Sequence, residues 1–265
     1  MTTLVSEIAG VSEMEAPALA LVGVHKSWPG STHALQGIDI EVHRGELLTL
    51  VGPSGCGKST VLRIVAGLED ATEGDVLRPL DPPGCVFQQA SLMPWRSVVR
   101  NVELFLELDG VPTRDRIEPV DRAIELVGLD GFRDHLPHQL SGGMQMRAAL
   151  ARALVTHPEV LLFDEPFAAV DELLRERLQE ELSRLFAVQR FAGLFITHSV
   201  SEAVFLSTRV AVMTARPGRI STVVDVPFSH PRSPELRFDP EFVALTRRVS
   251  TALRDGAGDL NEMSS

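Results

Sequence analysis

The chain has 265 residues, 44% of them hydrophobic, which is within reach of one large α/β domain with a substantial core. Its formal charge of −11, without any block of clustered lysine or arginine, argues against a nucleic-acid surface. No apolar run approaches the ~20 residues that cross a bilayer, no lysine or arginine precedes Lys26 as a secretory signal needs, and two cysteines fit a reducing compartment better than a disulfide framework.

In chain order, Thr2 to Ala18 is polar and acidic and reads as a frayed tail. Leu19–Val24 and Ile38–Val42 alternate as strands of an antiparallel edge region. Leu47–Val51 is an apolar strand that feeds G-P-S-G-C-G-K-S-T at Gly52 to Thr60, and Ser59–Ala66 is the helix that leaves it. Gly52, Gly55 and Gly57 tolerate positive φ, so the loop can curl with its N–H groups inward, and the helix dipole adds to the pull on an anion. Lys58 is then placed to reach β- and γ-phosphates and the Ser59 hydroxyl to ligate Mg²⁺. Lys26 and Lys58 are the only lysines of an arginine-rich chain, which points to a compact point charge at Lys58. Cys56 lies inside this loop at a helix start, where thiol pKa values tend to fall; alkylation there is expected to block nucleotide binding.

Gly74 to Cys85, with four of its residues proline or glycine near the end, reads as a compact loop. From Ala90 to about Gln139 the pattern is helical: Val98–Leu108 is one amphipathic helix, and Val120–Val127 follows Pro119 and stops at Gly128. Ser141 caps a helix running to about Leu154, and Gly142 and Gly143 leave its first N–H groups open as a second anion site. Val160–Phe163 is a continuous apolar run, as a strand buried on both faces would be. Asp164 emerges at its carboxyl end, where it can hold Mg²⁺, and Glu165 can orient and deprotonate an attacking water. Glu172–Gln189 is a long helix with Leu174, Leu178, Leu182 and Leu185 on one face. Strands follow at Gly193–Ile196, Val210–Met213 and Val223–Val226. Asp239 then caps a terminal helix that starts at Pro240 and carries Phe242, Leu245, Val249 and Leu253 along one stripe.

Two helix starts that both bind phosphate are not expected to meet one phosphate within a compact subunit. A two-fold dimer, in which the helix after Ser141 faces the γ-phosphate held by the partner's Lys58, is the simplest solution.

With these motifs in view, the sequence resembles the ATP-binding subunit of ABC transporters from about Leu19 to Val226, and within it the nitrate, sulfonate and taurine importer branch. The phrases that carry this are V-F-Q-Q-A-S-L-M-P-W at Val86 to Trp95, P-H-Q-L-S-G-G-M at Pro137 to Met144, L-L-F-D-E-P at Leu161 to Pro166, T-H-S-V-S-E-A-V-F-L at Thr197 to Leu206 and A-R-P-G-R-I at Ala215 to Ile220. The resemblance implies a P-loop α/β fold with an antiparallel β subdomain and an inserted helical subdomain at about 90–139. The ATPase domain would be 19–226, after a tail at 1–18 and before an extension at 227–265 with its helix. ATP would be held by Gly52, Pro53, Ser54, Gly55, Cys56, Gly57, Lys58, Ser59 and Thr60, with Trp28 stacked on adenine. Ser59, Asp164 and Gln88 would serve Mg²⁺. Glu165, His198 and Gln88 would be catalytic, while Ser141, Gly142 and Gly143 would reach the partner's ATP and Asp171 would lie in the D-loop.

Further implications are a homodimer, transmembrane permease subunits, an indirect extracytoplasmic solute-binding protein, and a place on the cytoplasmic face of the bacterial inner membrane. Leu92–Trp95 would wall the groove for a short permease helix. A-A-V-D at Ala168 to Asp171 and Ser199 after the histidine depart from the commoner family pattern. An ABC ATPase doing mechanical work without transport is the alternative, and a small-molecule P-loop kinase a third reading that would not need L-S-G-G or Glu165.

Overall fold

The computed structural model describes residues 16–262 except Pro29, Ser31, Thr32 and Ala169, with side chains to Gly256. Most of the expected N-terminal tail therefore lies outside the described residues. In chain order the first elements are β1 (Leu19–Ser27), β2 (His33–Val42), β3 (Leu47–Val51), α1 (Lys58–Val65), β4 (Glu73–Leu77) and β5 (Gly84–Phe87). A helical stretch follows, with α2 (Val98–Val102), α3 (Leu104–Leu108), α4 (Thr113–Leu126) and α5 (Gly142–Leu154). The remainder is β6 (Val160–Asp164), α6 (Glu172–Gln189), β7 (Ala192–Ile196), α7 (Val200–Leu206), β8 (Arg209–Met213), β9 (Ile220–Asp225) and α8 (Pro240–Glu262).

These strands make two sheets. The smaller is antiparallel, in the order β2-β1-β4; the larger runs β5-β6-β7-β3-β8-β9, parallel except for β9. Its central strands are buried along their length because both faces are covered. The side-chain alternation of a strand divides their apolar residues between two cores. Leu47, Val51, Leu161 and Phe163 face one core under α5, α6, α7 and α8, whereas Leu48, Leu50, Val160 and Leu162 face the other under α1 and the small sheet. Phe163 and Phe195 pack at 5.5 Å between ring centres in the first, and sealing each such ring from water contributes about 2–3 kcal/mol. A third cluster holds the helical stretch together, with Val102, Ile124, Leu129, Ala148 and Ala151 fully inside.

Several boundaries differ from the sequence reading. The compact loop over Gly74–Cys85 is instead occupied by β4 and the start of β5, since the exposed Glu73–Leu77 pairs edge to edge with β1. The single helix over Val98–Leu108 breaks at Glu103, giving α2 and α3. Pro119 lies inside α4 and not at its start; Thr113 opens that helix behind Pro112. The terminal helix begins at Pro240 as expected, with the Asp239 carboxylate accepting from Glu241 N–H at 2.7 Å. Phe242 and Val249 are buried along its stripe.

Candidate functional site

The parallel pairing brings the carboxyl ends of β3, β6, β7 and β8 side by side, and the glycine-rich loop leaves β3 among them. Gly57 turns that loop into α1 at φ 108°, and a Cβ on it would sit 2.5 Å from Leu35 Cδ2, so both backbone shape and packing require glycine. Lys58 is buried, and its Nζ donates to the carbonyls of Gly52 at 2.8 Å and Pro53 at 3.0 Å. The ammonium thus closes the loop on itself. The Cys56 side chain is only 1% exposed, with Lys58 Nζ 3.8 Å from its sulfur. That corrects the picture of a reactive thiol: an alkylating reagent has no path to it while the loop is closed.

Ser59 donates to Asp164 Oδ1 at 3.2 Å, which joins the head of α1 to the end of β6. Burial pushes the Asp164 carboxyl above its ordinary range; the Ser59 hydrogen bond opposes this, neighbouring Glu165 adds to it, and Arg63 and Lys58 lower it. Glu165 adopts φ 47°, a left-handed conformation unusual for a residue with a side chain, and its N–H donates to Ile196 O at 3.0 Å. This turn directs its carboxylate to His198, whose Nδ1 is 3.4 Å away. The imidazole itself is largely exposed.

These groups surround a cavity of about 390 Å³ lined by Ser54, Gly55, Gly57, Lys58, Ser59, Thr60, Glu165, His198 and Arg216. Loop N–H groups, a helix start, a lysine and an arginine suit an anion, above all a chain of phosphates. Ser59 and Asp164 add a hydroxyl and a carboxylate oxygen, hard donors of the kind Mg²⁺ takes. Among the described residues no cluster of three His, Cys, Asp or Glu side chains could hold a metal, so an ion here would draw other ligands from phosphate and water. Another cavity, of about 360 Å³, opens at the opposite end of the sheet beside Arg44, His157 and Arg190 and has neither a glycine cradle nor a hydroxyl among its lining residues.

The other sequence candidates are divided. Ser141 caps α5 by accepting from Met144 N–H at 3.3 Å, and Asp171 caps α6 by accepting from Leu174 N–H at 3.1 Å. A Cβ on Gly143 would be 2.8 Å from Leu174 Cδ1, so glycine lets the two helix starts pack together. None of Ser141, Gly142, Gly143 and Asp171 lines the cavity. Gln88 follows β5, exposed to solvent, and Trp28 follows β1 with Lys26 Nζ 4.4 Å above its ring; neither lines the cavity. Lys26 is tied to Glu69 Oε1 at 2.7 Å.

Trp95 is 73% exposed on a loop whose backbone is held from below. The buried Asn101 donates to Arg96 O at 2.8 Å and accepts from Met93 N–H at 2.7 Å, while Arg152 donates to Ser91 O at 2.8 Å and Ala90 O at 3.0 Å. Sequence reading missed Asn101, Arg152 and Arg216. The first two carry no local signal, and Arg216 appears only within a phrase that bears resemblance.

The family model described as ABC transporter matches residues 35–168. An uncharacterized ABC transporter ATP-binding protein of Methanocaldococcus jannaschii is 49% identical over 84% of this chain and 85% of that protein. The aliphatic sulfonates import ATP-binding protein SsuB 1 of Pseudomonas syringae pv. syringae is 46% identical over 87% of this chain and 93% of its own length. Among solved structures, CbiO1 of Clostridium perfringens, described as part of an ABC transporter complex, superimposes with a TM-score of 0.74 at 27% identity, covering 91% of this chain and 98% of that one. A dimeric ATP-binding cassette bound to ADP and Pi matches with a TM-score of 0.68 at 28% identity, over 79% of this chain and 99% of that one.

Proposed function

This chain belongs to the ABC transporter family as one of its ATP-binding, ATP-hydrolysing members, and on that premise we propose that it powers a bacterial importer of a small solute of the nitrate, sulfonate or taurine type. The observation that carries the catalytic part is the cavity where Lys58, Ser59, Glu165 and His198 meet at the strand ends. Lys58 and the loop N–H groups hold the β- and γ-phosphates, with Lys58 exchanging loop carbonyls for phosphate oxygens. Ser59 and Asp164, together with Gln88, would hold Mg²⁺, which would neutralise charge on the phosphates when bound. Glu165 accepts the proton of the attacking water, and His198, steadied by Glu165, contacts the terminal phosphate. Trp28 stacks on the adenine.

Ser141, Gly142 and Gly143 sit at a capped helix start beside Asp171 and away from this cavity. Their helix start serves the nucleotide of a second copy, so two ATP molecules are shared across a homodimer that closes on binding and reopens after hydrolysis. The pinned loop bearing Trp95 receives a short helix of the permease, through which the protein meets the cytoplasmic face of the membrane. The solute-binding protein acts on the other side. Among the described residues no helix is long and apolar enough to cross a membrane.

The test is affinity capture of a tagged Glu165→Gln protein from native membranes with ATP, followed by mass spectrometry of the co-purifying chains. A polytopic permease is expected. Capture of only soluble, DNA-associated or ribosome-associated proteins would replace the importer with a mechanical ATPase.

A further inference from the structure

Arg216 is the cavity-lining group for which the reading above has no use. The sheet order β7-β3-β8 places it opposite His198: the loop follows β3, His198 follows the neighbour on one side, and Arg216 follows the neighbour on the other. Its position is fixed from several directions. The turn between β8 and β9 is bound to β2 through Gln36 N–H to Gly218 O and Gly218 N–H to Ala34 O, both 2.9 Å. Gly218 packs so closely on the phosphate loop that a Cβ there would lie 2.1 Å from Cys56 O. From this turn Arg216 reaches back and donates through Nε to Gly55 O at 3.3 Å.

The side chain is exposed, and among the described residues no carboxylate is paired with it. A guanidinium has five N–H donors, so most of them remain free beside a cavity already suited to an anion. A free, anchored cation with planar donors is well matched to phosphate oxygens.

We propose that Arg216 is a nucleotide-binding residue that grips the terminal phosphate of ATP from the side opposite His198, with Lys58 between them. This rests on the reading of the cavity as the ATP phosphate site. Its anchor on Gly55 lets it report the shape of the loop: when the loop closes on a triphosphate, guanidinium and phosphate are drawn together without a search for the right rotamer.

The test compares equilibrium binding of ATP and ADP to the full-length wild type, R216Q, R216K and K58A proteins, with thermal midpoints measured in parallel. Loss of charge-assisted hydrogen bonds should weaken ATP binding to R216Q by roughly 10- to 100-fold. ADP binding should change much less, R216K should recover part of the loss, and the midpoint should not move, because the side chain lies on the surface. K58A serves to separate the two readings. If K58A loses ATP while R216Q binds ATP and ADP as the wild type does, Arg216 has no such role and the site reading stands. Equal weakening of ATP and ADP in R216Q would also overturn the assignment to the terminal phosphate. If K58A retains full affinity, the cavity is not the ATP site, and the role of Arg216 falls with it.

Discussion

Acid should loosen this protein through one half-buried imidazole. His230 lies against Phe186, with ring centres 4.7 Å apart, and its Nδ1 is 2.9 Å from Ser183 Oγ. The same hydroxyl oxygen accepts from Arg232 N–H at 2.8 Å, so its own proton is free to go to His230 Nδ1, leaving the ring neutral with its proton on Nε2. Nε2 is buried with no partner. Burial first, then the Arg232 and Arg190 charges, bring the His230 pKa down from 6.5 to about 3. With the folded value below the unfolded one, the unfolded chain takes up the proton first as pH falls, so stability is lost progressively from pH 6.5 towards 3. At pH 5 full linkage would remove about 2 kcal/mol, and partial solvent access to the ring halves this to about 1 kcal/mol. The assay is urea unfolding of the wild type and His230→Gln at pH 7.5 and 5.0. Glutamine can still accept from Ser183 and does not titrate, so other groups cancel between the two proteins. The variant should lose about 1 kcal/mol less over this interval. Equal losses would show that His230 accepts its proton as readily when folded as when unfolded.

Other perturbations address the site. Glu165→Gln should lower ATP turnover by roughly 10²–10⁴ with ATP affinity kept, as loss of a general base does; a turnover near wild type in a phosphate-release assay would remove Glu165 from that role. Gly218→Ala must move backbone, since its Cβ would lie 2.1 Å from Cys56 O; a loss of about 1–3 kcal/mol by urea unfolding with weakened ATP binding is expected, and unchanged binding would mean that the loop tolerates the shift. Iodoacetamide at pH 7.5 should label neither cysteine quickly, because Cys56 is enclosed and burial pushes the Cys85 thiol up to about 11. Labelling should accelerate in urea, and rapid labelling of the folded protein, located by peptide mass spectrometry, would show that the loop opens readily.

The parts legible in the sequence are those with a local cause. α6 occupies the expected Glu172–Gln189 because Asp171 caps its start and Arg190 ends it in a left-handed conformation. α5 is framed by Ser141 in the same way. The parts that were not legible depend on distant partners. β4 shows little apolar alternation and is a strand through its pairing with β1, as in Leu21 opposite Val76. The first turns of α4 are almost entirely exposed, so no apolar face marks their start, and Pro119 inside the helix imitates one. In the site, Gly52–Thr60, Asp164 and Glu165 stand out as compact motifs. Arg216 does not, because only the parallel pairing of β3 with β8 brings it to Gly55.

The segment after β9 is bound into α6 and α7. α6 starts at Asp171, and α7 starts just after His198, with Ser199 accepting from Glu202 N–H at 3.3 Å. Gln179 joins them by donating to Glu202 Oε1 at 2.9 Å, and Arg237 in turn donates to Gln179 Oε1 at 2.7 Å. Burial raises the Glu202 carboxyl above its ordinary range, while hydrogen bonds from Thr197 and Gln179 pull it back. Removing such a donor would therefore leave a buried carboxyl short of a partner, a costly change. At the far end of α7, Arg232 spends its donors on the carbonyls of Val204, Phe205, Ser207 and Phe228. Burial lowers it to about 9, so at neutral pH it remains a cation at the negative end of the α7 dipole. Arg237 also lies 3.7 Å over the Phe205 ring. A shift of α7, and with it of the turn that carries His198, must then either break these bonds within the protein or carry residues 228–237 along. Breaking them would strand buried polar groups, so the lower-energy course is for His198, α7 and this segment to move together as one body.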